Sequence, residues 1–359
     1  MTKKNLKTIW QISVYFFAII GLILVAGFLA VKFHLTDSWG QVDFNDRYFA
    51  TQAKSFKQLS LLSDRSNQLT SNLCRAQAIK KLYPENGTKI LLAYDRSRSD
   101  LVLAKMLASA ELYLSPNSEY QNLVKKCADS NFHSSLEKSL AESNLYAWIN
   151  TPEWQTLKEG LIKDKDVIMW TADKTNIPAR LIVSQIVGEQ LRLFHTEREV
   201  YKLFFQPLKI LGNEIKFSLG VAGIKEETAI QIEKNLVDRT SDYYLGPEFE
   251  KIIIFQTADV NQERFNRLTD SHDHTYSYLY TALFLKQIQA QWQKAGFDIS
   301  DRPEILATIF NVGYDKSVPK ADPQVGGSEI AINGKTYTFG SLAYEFYYSG
   351  ELLDEFPVK

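Results

Sequence analysis

Cysteine is nearly absent: Cys74 and Cys127 are the only two in 359 residues. That excludes a disulfide-dense scaffold. No CxxC and no Cys/His spacing of the zinc-binding kind occurs. Histidine is sparse too, at five residues, and the one close pair, His272 and His274 in SHDHTY, reads as polar loop rather than ligand set. Neither a metal nor a cofactor is expected. Charge of one sign is also lacking. The net charge is −1. Four of the 41 basic residues fall in the first 34 positions, where no acid occurs. This leaves 37 basic against 42 acidic residues beyond them, a formal charge of −5. There is no electrostatic footprint for nucleic acid. No fixed internal repeat period is visible.

What is present begins with one long apolar run. Val14 to Val31 contains only apolar, aromatic and glycine residues. With its flanks, residues 9–33 are long enough to span a bilayer as a helix. Lys3, Lys4 and Lys7 precede the run, and the first acid is Asp37. The positive-inside rule puts residues 1–8 in the cytoplasm and the rest outside. A cleaved signal peptide would have a shorter apolar core, roughly 7–15 residues, with small residues following. The reading is therefore a retained single-pass anchor in the cell membrane, with the main domain periplasmic or extracellular. Export permits a Cys74–Cys127 bridge, which would close a loop of about fifty residues and contribute about 4 kcal/mol. Two buried free thiols fit the sequence equally.

Residues 34–150 read as a helical region whose role the sequence leaves open, with envelope proteins as candidate partners. Its expected helices are 55–69, 71–82, 99–114, 119–129 and 136–150, with PENGT and SPNSE as turns. Asn86-Gly87-Thr88 matches a glycosylation sequon, or is simply part of the first turn. Pro152 and Trp154 open a new segment, and a boundary is placed near 150.

Within 151–359 the stretch NIPARLIVSQIVGEQLRLF, residues 176–194, stands out. Asn176 reads as a helix N-cap and Pro178 as a first-turn residue. Ile182, Ile186 and Leu193 share one stripe; Val183, Val187, Leu191 and Phe194 share the next. Glu189 falls on the first stripe. Burial disfavours the charged form of a carboxyl group, which suits such a group to donate a proton. The plainer reading is a glutamate at the stripe's edge, reaching water past Arg192. Further on, FSLGVAGIKEETA reads as a glycine loop entering a helix from Glu226 to about Val237. Residues 249–256 fit helix or strand. Helices follow at 275–295 and 301–310. Asn333-Gly334 between alternating residues predicts a hairpin, and 341–356 a final helix.

Three of these stretches, in this order, resemble the soluble lytic transglycosylase and goose-type lysozyme superfamily. ADKTNIPARLIVSQIVGEQLRLF is similar to the family's opening helix, with Glu189 at the place of its catalytic glutamate. Gly220-Val-Ala-Gly-Ile224-Lys-Glu-Glu-Thr228-Ala229 is similar to the family's GLMQIMPxTA loop. Ala307-Thr-Ile-Phe310-Asn311-Val-Gly313 is similar to AxxYNxG. The resemblance covers about residues 154–313. It departs from the pattern at Gln190 for Ser, Gly223 for Gln and Phe310 for Tyr.

The resemblance implies a mainly α fold with a lysozyme-like α (α+β) domain, here ending in the predicted hairpin. It implies peptidoglycan as substrate, cut between N-acetylmuramic acid and N-acetylglucosamine, with Glu189 as acid and then base. The implied substrate contacts are Gln190, Ser218, Gly220, Gly223, Ile224, Tyr280, Phe310 and Asn311. Tyr276 and Tyr280, four apart on one helix, would stack on sugar or pack in the core. The three departures also fit an inactive member that binds the wall as a scaffold. A muramidase hydrolase would need a second carboxylate, for which Glu197, Glu199, Glu214, Glu226 and Glu227 are close in sequence.

Overall fold

The computed structural model describes residues 65–127, 144–194 and 218–358, together with positions 10–11, 14–22, 25–26 and 29. Those N-terminal positions are helical. The remainder of the expected anchor, 9–33, lies outside the described residues, as do 55–64 of the helix expected at 55–69, 128–129 of that expected at 119–129 and 136–143 of that expected at 136–150. No helix among the described residues is long and apolar enough to cross a membrane.

The protein is mainly helical. In chain order the helices are α1 (Arg65–Leu82), α2 (Pro84–Ser97), α3 (Asp100–Leu114), α4 (Ser118–Lys126), α5 (Pro152–Lys163), α6 (Lys165–Thr175) and α7 (Ala179–Phe194). They continue as α8 (Glu226–Val237), α9 (Val260–Thr269), α10 (Thr275–Lys294), α11 (Pro303–Val312) and α12 (Phe339–Ser349). Two small antiparallel ribbons interrupt them. β1 (Ser218–Leu219) pairs with β2 (Ile224–Lys225), and β3 (Glu329–Ile332) pairs with β4 (Lys335–Thr338) around Asn333-Gly334.

Local chemistry sets many of the helix ends. Ser99, Asn117, Thr151 and Asp259 each accept a backbone N–H from the first turn of the helix that follows, satisfying donors that have no intrahelical partner. Thr338 and Ser341 form a reciprocal capping box at the start of α12. Two sequence expectations fail here. PENGT is not a turn: Pro84 occupies the first position of α2, where its missing N–H costs nothing. Gly87 then lets α2 close on α1, because a methyl there would lie 2.5 Å from Lys80 Cβ and nearer still to its backbone. Asn176 does not cap α7. It ends α6 in the left-handed conformation at φ 55°, which asparagine tolerates better than most residues. The Pro178 carbonyl accepts the first bonds of α7, from Leu181 N at 2.9 Å and Ile182 N at 3.3 Å. Residues 249–256 are neither helix nor strand but a turn through 251 that passes into irregular chain.

One hydrophobic core runs from Ala76 to Val358. The expected boundary near 150 falls inside it. Trp148 and Trp154 meet edge to face at 4.8 Å, and both contact Phe346 of α12. Trp148 Nε1 donates to Glu345 at 3.1 Å, and Tyr113 of α3 donates to the same carboxylate. Helix α12 is buried over its whole length, which is why its sequence, FGSLAYEFYYS, carries almost no charge. Cys74 of α1 and Cys127, just past α4, form a disulfide with Cα atoms 5.7 Å apart. Asn86 is buried, accepts from Leu145 N at 3.0 Å and donates to Asn144 at 2.9 Å. The sequon is thus a packing element, with no amide presented to solvent.

Candidate functional site

Helix α7 is not a two-stripe amphipathic helix. Fourteen of its sixteen residues are buried, on every face, as expected of a helix inside a larger core. Its ends carry the two charges that need explaining. At the start, Arg180 is fully buried and donates four hydrogen bonds, all to backbone carbonyls. Nε reaches Tyr347 at 2.7 Å, Nη1 reaches Glu351 and Phe356 at 2.7 and 2.8 Å, and Nη2 reaches Phe346 at 2.9 Å. These belong to the last turn of α12 and the segment after it, whose carbonyls lack helical partners. Burial draws the Arg180 guanidinium down to about 10, so it remains the cation at neutral pH.

At the other end sits Glu189, 3% exposed. Arg192, one turn on, is 5% exposed and grips it with two nitrogens: Nε donates to Oε2 at 3.2 Å, and Nη2 donates to Oε1. The i,i+3 spacing places both groups on one helix face. A buried pair of this kind is tolerated because each charge compensates the other.

The glycine loop closes over this pair. Gly220 to Gly223 forms the turn between β1 and β2, closed by Gly223 N donating to Gly220 O at 3.2 Å. Gly223 is held at φ +61°, and a methyl there would lie 2.6 Å from Glu189 Cγ and nearer still to the carboxylate. Any side chain at 223 would displace the acid. Gln190, beside Glu189, donates to the Val221 carbonyl at 2.5 Å and ties the loop to the helix. Gly220 fits against the other wall, where a methyl would come within 2.6 Å of Ser277 Oγ on α10. Ile224 is buried under the loop, and Ser218 enters through its backbone pairing with Lys225.

The third stretch reaches α7 through Phe339. Phe310 stacks on Phe339 at 6.3 Å. Phe339 lies against Gly188, where a methyl would be 2.8 Å from its Cζ. Asn311 Oδ1 accepts from Ser328 N at 2.7 Å and Ser328 Oγ at 3.0 Å. It pins the segment before β3 rather than serving as a helix cap. The loop thus meets α7 at Glu189, and Phe310 reaches the adjacent Gly188 through Phe339.

Not every expected site residue joins them. Tyr280 is fully buried in α10, and its hydroxyl donates to Glu233 at 2.5 Å. Burial and the hydrogen bond to that carboxylate push the phenol well up. Its ring has no exposed face for a sugar, so Tyr280 is a core residue; the i,i+4 spacing that suggested stacking serves packing instead. Tyr276 is partly exposed but lies under Arg267, whose Cζ is 4.2 Å from the ring centre. Of the candidate second carboxylates, Glu226 faces Arg264 at 4.0 Å. Glu197, Glu199 and Glu214 lie outside the described residues. Sequence reading noted Arg192 only as a neighbour on the way to water, although its spacing from Glu189 was the available signal. Phe339 and Ser328 carried no signal, because they approach from far along the chain. Among the described residues no group of acids, histidines or cysteines forms a metal site.

Comparison with protein families, with curated proteins and with solved structures returns no match.

Proposed function

We propose that the protein cleaves the glycan strands of peptidoglycan between N-acetylmuramic acid and N-acetylglucosamine, as a lytic transglycosylase anchored in the membrane through residues 9–33. The observation that carries this reading is the contact of Gly223 with Glu189. Two separate stretches of the resemblance meet on one carboxylate, and the loop position that departs from the family pattern is the one where a side chain would strike it.

The chemistry follows from one acid. Glu189, once released from Arg192 and protonated, gives its proton to the glycosidic oxygen as the C1–O bond breaks. The C6 hydroxyl of the same muramic acid attacks C1 and forms the C1–O6 bond. Its proton passes to Glu189, which is restored. Attack within one sugar needs no bound water and uses proximity in place of a second carboxylate.

A second reading rests on the ion pair. A Glu189 that stays committed to Arg192 cannot give up a proton, and the protein would then be a wall-binding scaffold. The test is digestion of purified cell walls by the full chain in detergent. Release of 1,6-anhydromuropeptides, abolished by Glu189→Gln, is the expected result. Reducing-end products would make the protein a hydrolase. Wall binding with no release would leave the scaffold reading standing.

A further inference from the structure

The ion pair poses a charge-balance requirement. Glu189 and Arg192 are both nearly buried, and each is the other's counter-charge. If Glu189 acts as an acid, it must be neutral when substrate is bound. Among the described residues no other acid pairs with Arg192, so a neutral Glu189 leaves the guanidinium buried without a counter-charge there, a costly state. The compensating anion is assigned to the substrate. A guanidinium fork is built for a carboxylate, which it holds through two parallel hydrogen bonds.

We infer that Arg192 is a substrate-binding residue that exchanges Glu189 for a carboxylate of the glycan, so that arrival of an acidic substrate is what frees the acid. This rests on the transglycosylase reading and narrows its substrate class. Two carboxylates are chemically available. The lactyl group of a muramic acid that carries no peptide ends in a free carboxylate. Where a stem peptide is attached, that carboxyl is an amide, and the acids lie on the peptide. The lactyl group is attached to the reacting sugar itself, so it is the source assigned here, and peptide-free strands are the preferred substrate.

The test uses the full chain in detergent with three ligands: peptide-free glycan strands, the same strands with lactyl carboxylates converted to primary amides, and strands with stem peptides intact. Glu189→Gln imitates the neutral acid and leaves Arg192 without its partner. It should bind peptide-free acidic strands at least about ten-fold more tightly than amidated ones, a difference of about 1.4 kcal/mol. Arg192→Gln should lose that discrimination while keeping its affinity for amidated strands, a pattern that a merely structural role would not produce. Equal binding of acidic and amidated strands by Glu189→Gln overturns the inference, even if Arg192→Gln fails to fold. Charge-dependent binding seen only with stem peptides present overturns the lactyl assignment and transfers the carboxylate to the peptide. Absence of anhydro products with wild-type protein sinks the transglycosylase reading alone, because the binding comparison needs no turnover.

Discussion

Gly223→Ala isolates the contact on which the site depends. The backbone at 223 is left-handed, φ +61°, and placing an alanine there costs about 1–2 kcal/mol before any contact is counted. The added methyl then meets Glu189 Cγ at 2.6 Å, with Cδ and Oε1 closer, so something must move. If the loop yields, the Gln190–Val221 hydrogen bond is lost, for about 1 kcal/mol more, giving about 2–3 kcal/mol in total. If Glu189 yields instead, a buried ion pair is broken at about 3–5 kcal/mol, giving about 4–7 kcal/mol. Gly296→Ala is the matched control. It too is left-handed, at φ +85°, but faces open space, so only the backbone cost of about 1–2 kcal/mol applies. Urea unfolding of both variants and of wild type, in the same detergent, measures the difference. A second cycle adds Glu189→Ala. Removing the side chain that clashes should make the double variant less destabilised than the sum of the singles. If Gly223→Ala is as mild as Gly296→Ala, the loop does not press on the acid, and the reasoning that joins the two stretches fails.

Other consequences follow from the rest of the fold. Replacing Cys74 and Cys127 by serine opens a loop spanning a sequence separation of 53; chain entropy predicts a loss of about 4 kcal/mol, read as a lower urea midpoint that reductant reproduces in wild type. Arg180→Leu strands four carbonyls around the end of α12 and should cost more than about 3 kcal/mol, with hydrogen exchange rising first after Ser349. Glu263 is held below its ordinary 4.5, chiefly by the backbone N–H of Gln256, with Thr257 and Arg267 adding to it. A carboxylate with a depressed folded value stabilises above 4.5 and loses that contribution as pH falls through the folded value. The 254–257 segment of wild type should therefore loosen to hydrogen exchange below about pH 4.5, and Glu263→Gln should flatten that dependence.

Helices with strong internal signals were legible. α8 begins and ends at Glu226 and Val237 as its periodicity requires, and Asn333-Gly334 makes the expected hairpin turn. That Glu189 lies in the core was one of two open readings: its stripe neighbours Ile182, Ile186 and Leu193 are buried, but so is nearly every other position of α7, so the stripe could not decide it. What the sequence hid depended on distant partners or on competing local rules. PENGT carries turn residues, yet proline at a first helical position and a glycine facing Lys80 turn it into α2. Asn176 caps helices at either end, and only the chain path selects the end of α6. β1 and β2 have two residues each, too few to show alternation. Tyr280 spaced with Tyr276 describes one helix face, and whether that face meets sugar or core is decided by Glu233, 47 residues earlier. The Cys74–Cys127 pair was left open because two cysteines hold no pattern; helix packing brings their Cα atoms to 5.7 Å.

The two ends of α7 solve the same problem in different ways, and the difference separates structure from chemistry. Arg180 and Glu189 are both charges inside the core of one helix. Arg180 spends its donors on four main-chain carbonyls, which neither titrate nor leave, so its state is fixed by the fold of α12. Among the described residues Glu189 is paired by a single side chain, Arg192 of the same helix. A backbone-satisfied charge can be removed only by unfolding its surroundings, whereas a pair of side chains can exchange partners without disturbing a helix. A buried charge whose compensation is replaceable is the kind of group that a substrate can switch, and on the proposed function that group in α7 is the carboxylate met by Gly223 of the glycine loop. The same logic orders the variants. Arg180→Leu should lower stability with no effect specific to any glycan, while Arg192→Gln should change which glycan is bound, and a protein in which those two effects were reversed would have its chemistry at the other end of the helix.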